Sequence, residues 1–231
     1  MECMGHSHDH DHEDEPGHSL HDLIDVPQVW CLNEEIRDSG KKILKSYENR
    51  FENNPSLCSQ PPFDEDEEPE LLLYVPFTEA VSIKHICVRG YVDNIDNSIR
   101  NNSVRRPTAD PKSVKLFVDR DDLDFESARE LPPAMKIELV PPGHDDGSGT
   151  IDYPLRPAGR FQNINSITLY FNENYSGEEE NCQTEITYVG FKGKGTKMKR
   201  RAVQAVYETK GMLKDHKVPD DAMGSTANNL F

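Results

Sequence analysis

Four imidazoles, His6, His8, His10 and His12, stand at alternate positions of the N-terminus, with Asp9, Asp11 and Glu13 interleaved. In an extended chain this alternation puts the rings on one side, a donor set that Zn, Ni or Cu accepts with a carboxylate completing the shell. The segment has no apolar periodicity and must give up ordering entropy to close round an ion. Adventitious capture of a divalent metal is therefore the expectation, with no cofactor required and no catalysis at the tail. The second cluster is the basic run Lys192, Lys194, Lys197, Lys199, Arg200 and Arg201, set in a chain whose 26 Lys plus Arg against 42 Asp plus Glu give a net charge of -16. It reads as a solvated turn between two strands, with Lys197, Lys199, Arg200 and Arg201 as the candidate contacts for an acidic protein partner. No aromatics are interleaved to stack bases and the overall charge repels a phosphate backbone, so nucleic acid is not the expected partner.

Nothing in the chain reads as catalytic machinery. There is no G-x-S-x-G, H-E-x-x-H, phosphate-binding loop or dinucleotide fingerprint. Beyond the N-terminal region, His85 falls in a strand, His144 in a loop and His216 near the C-terminus. Cys3, Cys31, Cys58, Cys87 and Cys182 are widely spaced, with no C-x-x-C pair, and read as reduced thiols. Cys31 precedes Leu32, Asn33 and Glu34, and an acidic neighbourhood opposes a reactive thiolate, so a buried structural thiol is expected. The run Asp119, Asp121, Asp122, Asp124, Glu126 lacks the glycine and spacing of a calcium loop. The chain is read as a non-enzyme with no catalytic residues.

Residues 1–16 read as a disordered His/Asp-rich tail, 17–207 as one folded domain and 208–231 as a second disordered tail. Leu20 to Cys31 suggests a short helix stopped before Pro27. Asp38 to Pro69 is polar, contains the acidic run Asp64 to Glu68, and reads as loop with short irregular pieces. After it come at least six runs of period two. Leu71 to Val75 is the first. In Val81 to Val92 the apolar set Val81, Ile83 gives way to Ile86, Val88, a phase slip that a bulge near Lys84 and His85 would absorb. Val114, Leu116, Val118; Met135, Ile137, Leu139; Ile167, Leu169, Phe171; and Ile186, Tyr188, Val189, Phe191 follow, with Val203 to Tyr207 as a possible closing strand. This is the pattern of an antiparallel sandwich or barrel. No apolar run approaches the roughly 20 residues that span a bilayer, and the start has no signal-peptide centre. A monomer of cytosol and nucleus, without membrane contact, is expected.

Several segments together resemble the PITH domain, the proteasome-interacting domain found at the end of thioredoxin-like proteins and also alone. They are Cys31-Leu32-Asn33-Glu34, Glu70 to Phe77, Val114 to Val118 with Asp124-Phe125-Glu126 after it, Arg160-Phe161-Gln162-Asn163-Ile164-Asn165-Ser166, and Ile186 to Gly193. The resemblance spans about Gly17 to Tyr207 and implies an all-β, jelly-roll-like antiparallel β-sandwich similar to galactose-binding domains. It implies Ile164, Ile167, Leu169 and Phe171 as core, with Asn163 and Asn165 capping turns or satisfying buried backbone, so that the signature is structural. The thioredoxin domain is absent and the His-rich start resembles stand-alone members. The loop from Val92 to Val114, with Arg100, Arg105 and Arg106, is longer than the family pattern. The partner implied is the 26S proteasome or ubiquitin-pathway machinery, met by a non-catalytic binding module with a possible regulatory role. Two alternatives stay open: metal handling by the His-rich tail, and small-ligand or glycan binding by the jelly-roll loops.

Overall fold

The computed structural model describes residues 17–61, 69–90, 108–141, 151–176 and 182–199, without the side chains of Met198 and Lys199. Ten strands are present among them: β1 His18–Ser19, β2 Trp30–Leu32, β3 Leu57–Cys58, β4 Leu71–Gly90, β5 Thr108–Ala109, β6 Ser113–Val118, β7 Met135–Glu138, β8 Asp152–Pro154, β9 Ile164–Phe171 and β10 Gln183–Lys199. Two short helices, α1 Ser39–Lys42 and α2 Phe125–Glu130, punctuate them.

The two runs read as Leu71 to Val75 and Val81 to Val92 form a single strand of 20 residues. Its first half lies between β2 and β9, and β9 leads on through β6 to β7. Its second half lies between β8 and β10, which also carries β1 and β3. One long strand thus belongs to two layers, and the curled antiparallel sheet becomes a sandwich. Only β5 runs parallel to its neighbour, β10. Leu71, Leu73, Val75, Phe77, Val81 and Ile83 share the core with Ile86 and Val88. The change of parity is a bulge at the expected place: Lys192 faces His85 and Gly193 faces Ile83, leaving Lys84 unmatched. Each large side chain sealed in this core contributes about 1.5–3 kcal/mol.

Leu72, Phe117 and Tyr170 point away from that core, yet they are buried, because α2 lays Ala128 over them with Leu123 beside it. Asp124 caps α2 by accepting from the Ser127 N–H at 2.8 Å, and the Ser127 hydroxyl returns to the Asp124 N–H. The segment before β2 departs from the short helix expected. It is two 3-10 turns, His21–Leu23 and Val26–Gln28, with Pro27 inside the second. Pro27 fits near the start of such a turn, where its missing N–H has no partner to lose. As far as residue 61 the polar stretch after Asp38 consists of short irregular pieces as expected, with α1, a 3-10 turn at Tyr47–Asn49 and β3; the acidic run Asp64 to Glu68 lies outside the described residues.

Candidate docking surface

As far as Lys199 the basic run is strand rather than the expected turn between two strands. Lys192, Lys194 and Lys197 lie on β10, which stays paired with β4 as far as Lys199 opposite Glu79. Lys194 and Lys197 are exposed. Lys197 has a left-handed φ of 59°, held where β10 bulges past β4: its N–H donates to Glu79 Oε1 at 3.1 Å, and the Thr196 hydroxyl donates to the Ala80 carbonyl at 2.7 Å. Of the four cations singled out in the sequence, only Lys197 has its side chain described. That of Lys199, with Arg200 and Arg201, lies outside the described residues. So do His6, His8, His10 and His12, His144, His216, most of the Val92 to Val114 loop, the possible strand Val203 to Tyr207 and both tails.

Lys192 belongs to a second group that the sequence did not announce. On β10 and β4 the residues turned away from the core, Tyr188, Gly190 and Lys192 beside Cys87 and Arg89, form the outer face of the second layer. The segment after α1 covers that face and is tied to it where the Val189 N–H donates to the Ile43 carbonyl at 3.1 Å. Cations and rings then alternate. Lys192 Nζ stands 4.4 Å from the Tyr47 centroid, and the Arg50 guanidinium 3.9 Å from Tyr47 and 4.1 Å from Phe51. Arg89 stands 5.8 Å from Phe51 and donates to Asn53 Oδ1 at 3.1 Å. Such contacts contribute roughly 0.5–2 kcal/mol each, more where water is excluded. Lys192 also pairs with Asp152 on β8. Burial, against the pull of Glu52 and helped by Arg89, holds the Lys45 ammonium below its ordinary value. The Tyr47, Arg50, Phe51 spacing of three and four residues was the available signal, since it brings ring and cation together on one helical turn.

The thiols are placed for structure. Burial first and Glu34 second push the Cys31 thiol far above its usual range, as expected for a structural cysteine. Burial, with Asp152 adding, pushes Cys87 up to about 12. An unfolded cysteine ionises near 9, so the neutral buried thiol of Cys87 contributes its stability in full below that pH and loses it as pH rises towards 12. Between pH 7.5 and 10, urea unfolding under reductant should show the wild type losing about 1.4 kcal/mol more than Cys87→Ala. Equal losses in both proteins would refute this assignment.

The signature residues act on the fold. Glu34 accepts from the Gly40 N–H at 2.9 Å and from the Asp38 N–H, fixing the entry to α1. Asn33 sits at φ 66° and donates to the Glu70 carbonyl at 2.8 Å. Phe161 and Ile164 are core, as are Ile167, Leu169 and Phe171. Asn163 takes the left-handed turn position, at φ 55°. The buried-backbone role expected of the asparagines falls to Asp119, whose Oδ1 accepts from the N–H groups of Asn165 at 2.7 Å and Ser166 at 3.1 Å. His85 lies on β4 opposite Lys192 and Pro154. Among the described residues, no three His, Cys, Asp or Glu side chains gather as a metal ion would require, and no helix is long and apolar enough to cross a membrane.

The profile of the PITH domain matches residues 10–211. The chain is 30% identical to PITH domain-containing protein 1 of Dictyostelium discoideum over 94% of its own length and 93% of that protein. It is 30% identical to a PITH domain-containing protein of Caenorhabditis elegans, covering 98% of each. Among solved structures it is similar to the CBM32-3 module of a family 31 glycoside hydrolase from Clostridium perfringens. That likeness has 13% identity and a TM-score of 0.45, over 75% of this chain and 96% of that one.

Proposed function

The chain belongs to the PITH domain family, and from that premise we propose that it is a non-catalytic docking module for the 26S proteasome or ubiquitin-pathway machinery, acting as a monomer in cytosol and nucleus. The single observation that carries this reading is the extent of the match, which runs from residue 10 to residue 211 and takes in every described strand. The resemblance supplies the partner, and the surface supplies means to meet one. Exposed Lys194 and Lys197 on an otherwise acidic protein, together with the cation and ring array, are suited to an acidic partner surface. The thiols of Cys31 and Cys87 are held neutral, which agrees with binding rather than redox chemistry.

Affinity capture from native lysate, with mass spectrometry of the bound proteins, tests the reading. The full chain and a variant lacking residues 1–16 are both expected to recover proteasome subunits in stoichiometric amounts, less at moderate than at low salt. Loss of capture by the shortened variant alone would move the contact to the His-rich tail. Failure of both folded proteins to recover any proteasome or ubiquitin-pathway subunit would overturn the proposal.

A further inference from the structure

The ladder Lys192, Tyr47, Arg50, Phe51, Arg89 does more than a fastening of its loop requires. Phe51 keeps 45% of its surface exposed, and the other large exposed hydrophobics among the described residues, Val26, Ile36 and Val140, are aliphatic. Asp152 answers Lys192, whereas no described carboxylate lies within ion-pair distance of Arg50. Arg50 Nη1 donates to the Tyr47 carbonyl at 2.7 Å, which fixes the guanidinium plane between the two rings. Arg50 Nε and Asp152 Oδ1 are buried without a hydrogen-bond partner, so any carboxylate must meet Arg50 through its outer Nη atoms. A half-exposed ring is thus flanked by guanidinium groups, on a chain of net charge -16.

We infer that this ladder is the contact surface for an acidic peptide segment of a protein partner, its carboxylates meeting the outer guanidinium edge of Arg50 while an apolar or aromatic side chain covers Phe51. Guanidinium groups already stacked on rings lose little freedom on meeting a carboxylate, and their planar forks suit its geometry. An exposed aromatic bordered by arginine has the composition of an interface anchor. Lysine and arginine on bare surface would attract acidic chains without the apolar contact, so Phe51 sets the specificity of the surface. The inference takes its partner class from the docking role proposed above, but its chemistry is tested without any proteasome.

The test is fluorescence anisotropy of the full chain with a fluorescein-labelled peptide of about twelve residues, aspartate and glutamate around one central phenylalanine. An otherwise identical peptide with serine for the acidic residues serves as control. The wild type should bind the acidic peptide saturably at about 50 mM salt, at least tenfold more tightly than the serine control. Affinity should fall about tenfold in Arg50→Gln and in Phe51→Ala, and by an intermediate factor in Arg50→Lys, which keeps the charge but not the stacked fork, with thermal unfolding confirming that each variant is folded. Lys136→Gln, on exposed β7 away from the ladder, should leave binding within about twofold. Absence of saturable binding by the wild type, or binding by folded Arg50→Gln and Phe51→Ala equal to that of the wild type, would overturn the inference whether or not proteasomes are captured. Failure of proteasome capture with peptide binding intact would leave the surface standing and remove only the partner named above.

Discussion

Glu70→Ala should lower the unfolding free energy by about 3 kcal/mol, the largest loss expected from any single polar side chain in the fold. The residue immediately precedes β4 with its carboxylate almost wholly enclosed, 6% exposed, and α2 and β9 meet it there. Arg129 of α2 donates through Nε at 2.9 Å and again through Nη2, and the Tyr170 hydroxyl of β9 donates to Oε1. Arg129 is 58% exposed and turns to water when its partner goes, so the ion pair itself accounts for little of the loss. The weight falls on Tyr170. Burial, reinforced by Glu70, raises its phenol well above the ordinary range, and without the carboxylate a sealed hydroxyl is left with no acceptor beside a new cavity. Glu70→Gln keeps an acceptor in place and should lose only about 1 kcal/mol. Equal losses for the two variants in urea unfolding would place the stabilisation in charge rather than in Tyr170.

Gly193→Ala is expected to be more severe, about 4 kcal/mol or more, with unfolding at ambient temperature as the visible result. A Cβ at this position would stand 2.0 Å from the Ser82 carbonyl oxygen and 3.0 Å from Ile83 Cα. Both are backbone atoms of the strand that bulges at Lys84, so no rotamer change relieves the overlap. On the N-terminal side β1 presses in as well. Gly17 approaches the Gly193 backbone at a φ of 77°, and His18 pairs with Gly193. Gly159→Ala is the control, with nothing within 4 Å of the added atom and an expected change within about 0.5 kcal/mol. Circular dichroism and thermal unfolding of the two variants side by side decide the matter. A stable, native-like Gly193→Ala would mean that the two strands can separate there without loss.

The glycine that closes the Ile186 to Gly193 segment is thus demanded by the same bulge that the parity change from Ile83 to Ile86 announced. Period-two alternation located the core strands because one face of each is sealed, which is why Val114, Leu116, Ile167, Leu169 and Phe171 were legible. It did not reveal that Leu71 to Gly90 is continuous, since the alternation lapses between Val75 and Val81, where Pro76 is nonetheless paired with Ser166. Nor did it mark Phe117, Tyr170 and Leu72 as buried on the reverse face. Their cover is α2, whose signal is the Asp124 and Ser127 cap rather than any apolar period. Gln183, Thr184, Glu185 and Thr187 are polar yet buried, because β3 and β5 enclose the start of β10 and supply partners; the Thr108 hydroxyl donates to Glu185 at 2.7 Å. Local sequence carries no sign of that enclosure.

The candidate surface was legible only in part for a related reason. Charge density picked out the run after Lys192 because its cations are adjacent in sequence. Tyr47, Arg50 and Phe51 come from a loop, Arg89 from β4 and Lys192 from β10, and only the fold brings them together.

Binding of the purified full chain to purified 26S proteasome, followed by interferometry at about 50 and 150 mM salt, tests the docking role most directly. Saturable binding that weakens with salt, is retained without residues 1–16 and falls in folded Arg50→Gln is the result expected. No saturable binding by a protein shown to be folded would contradict it.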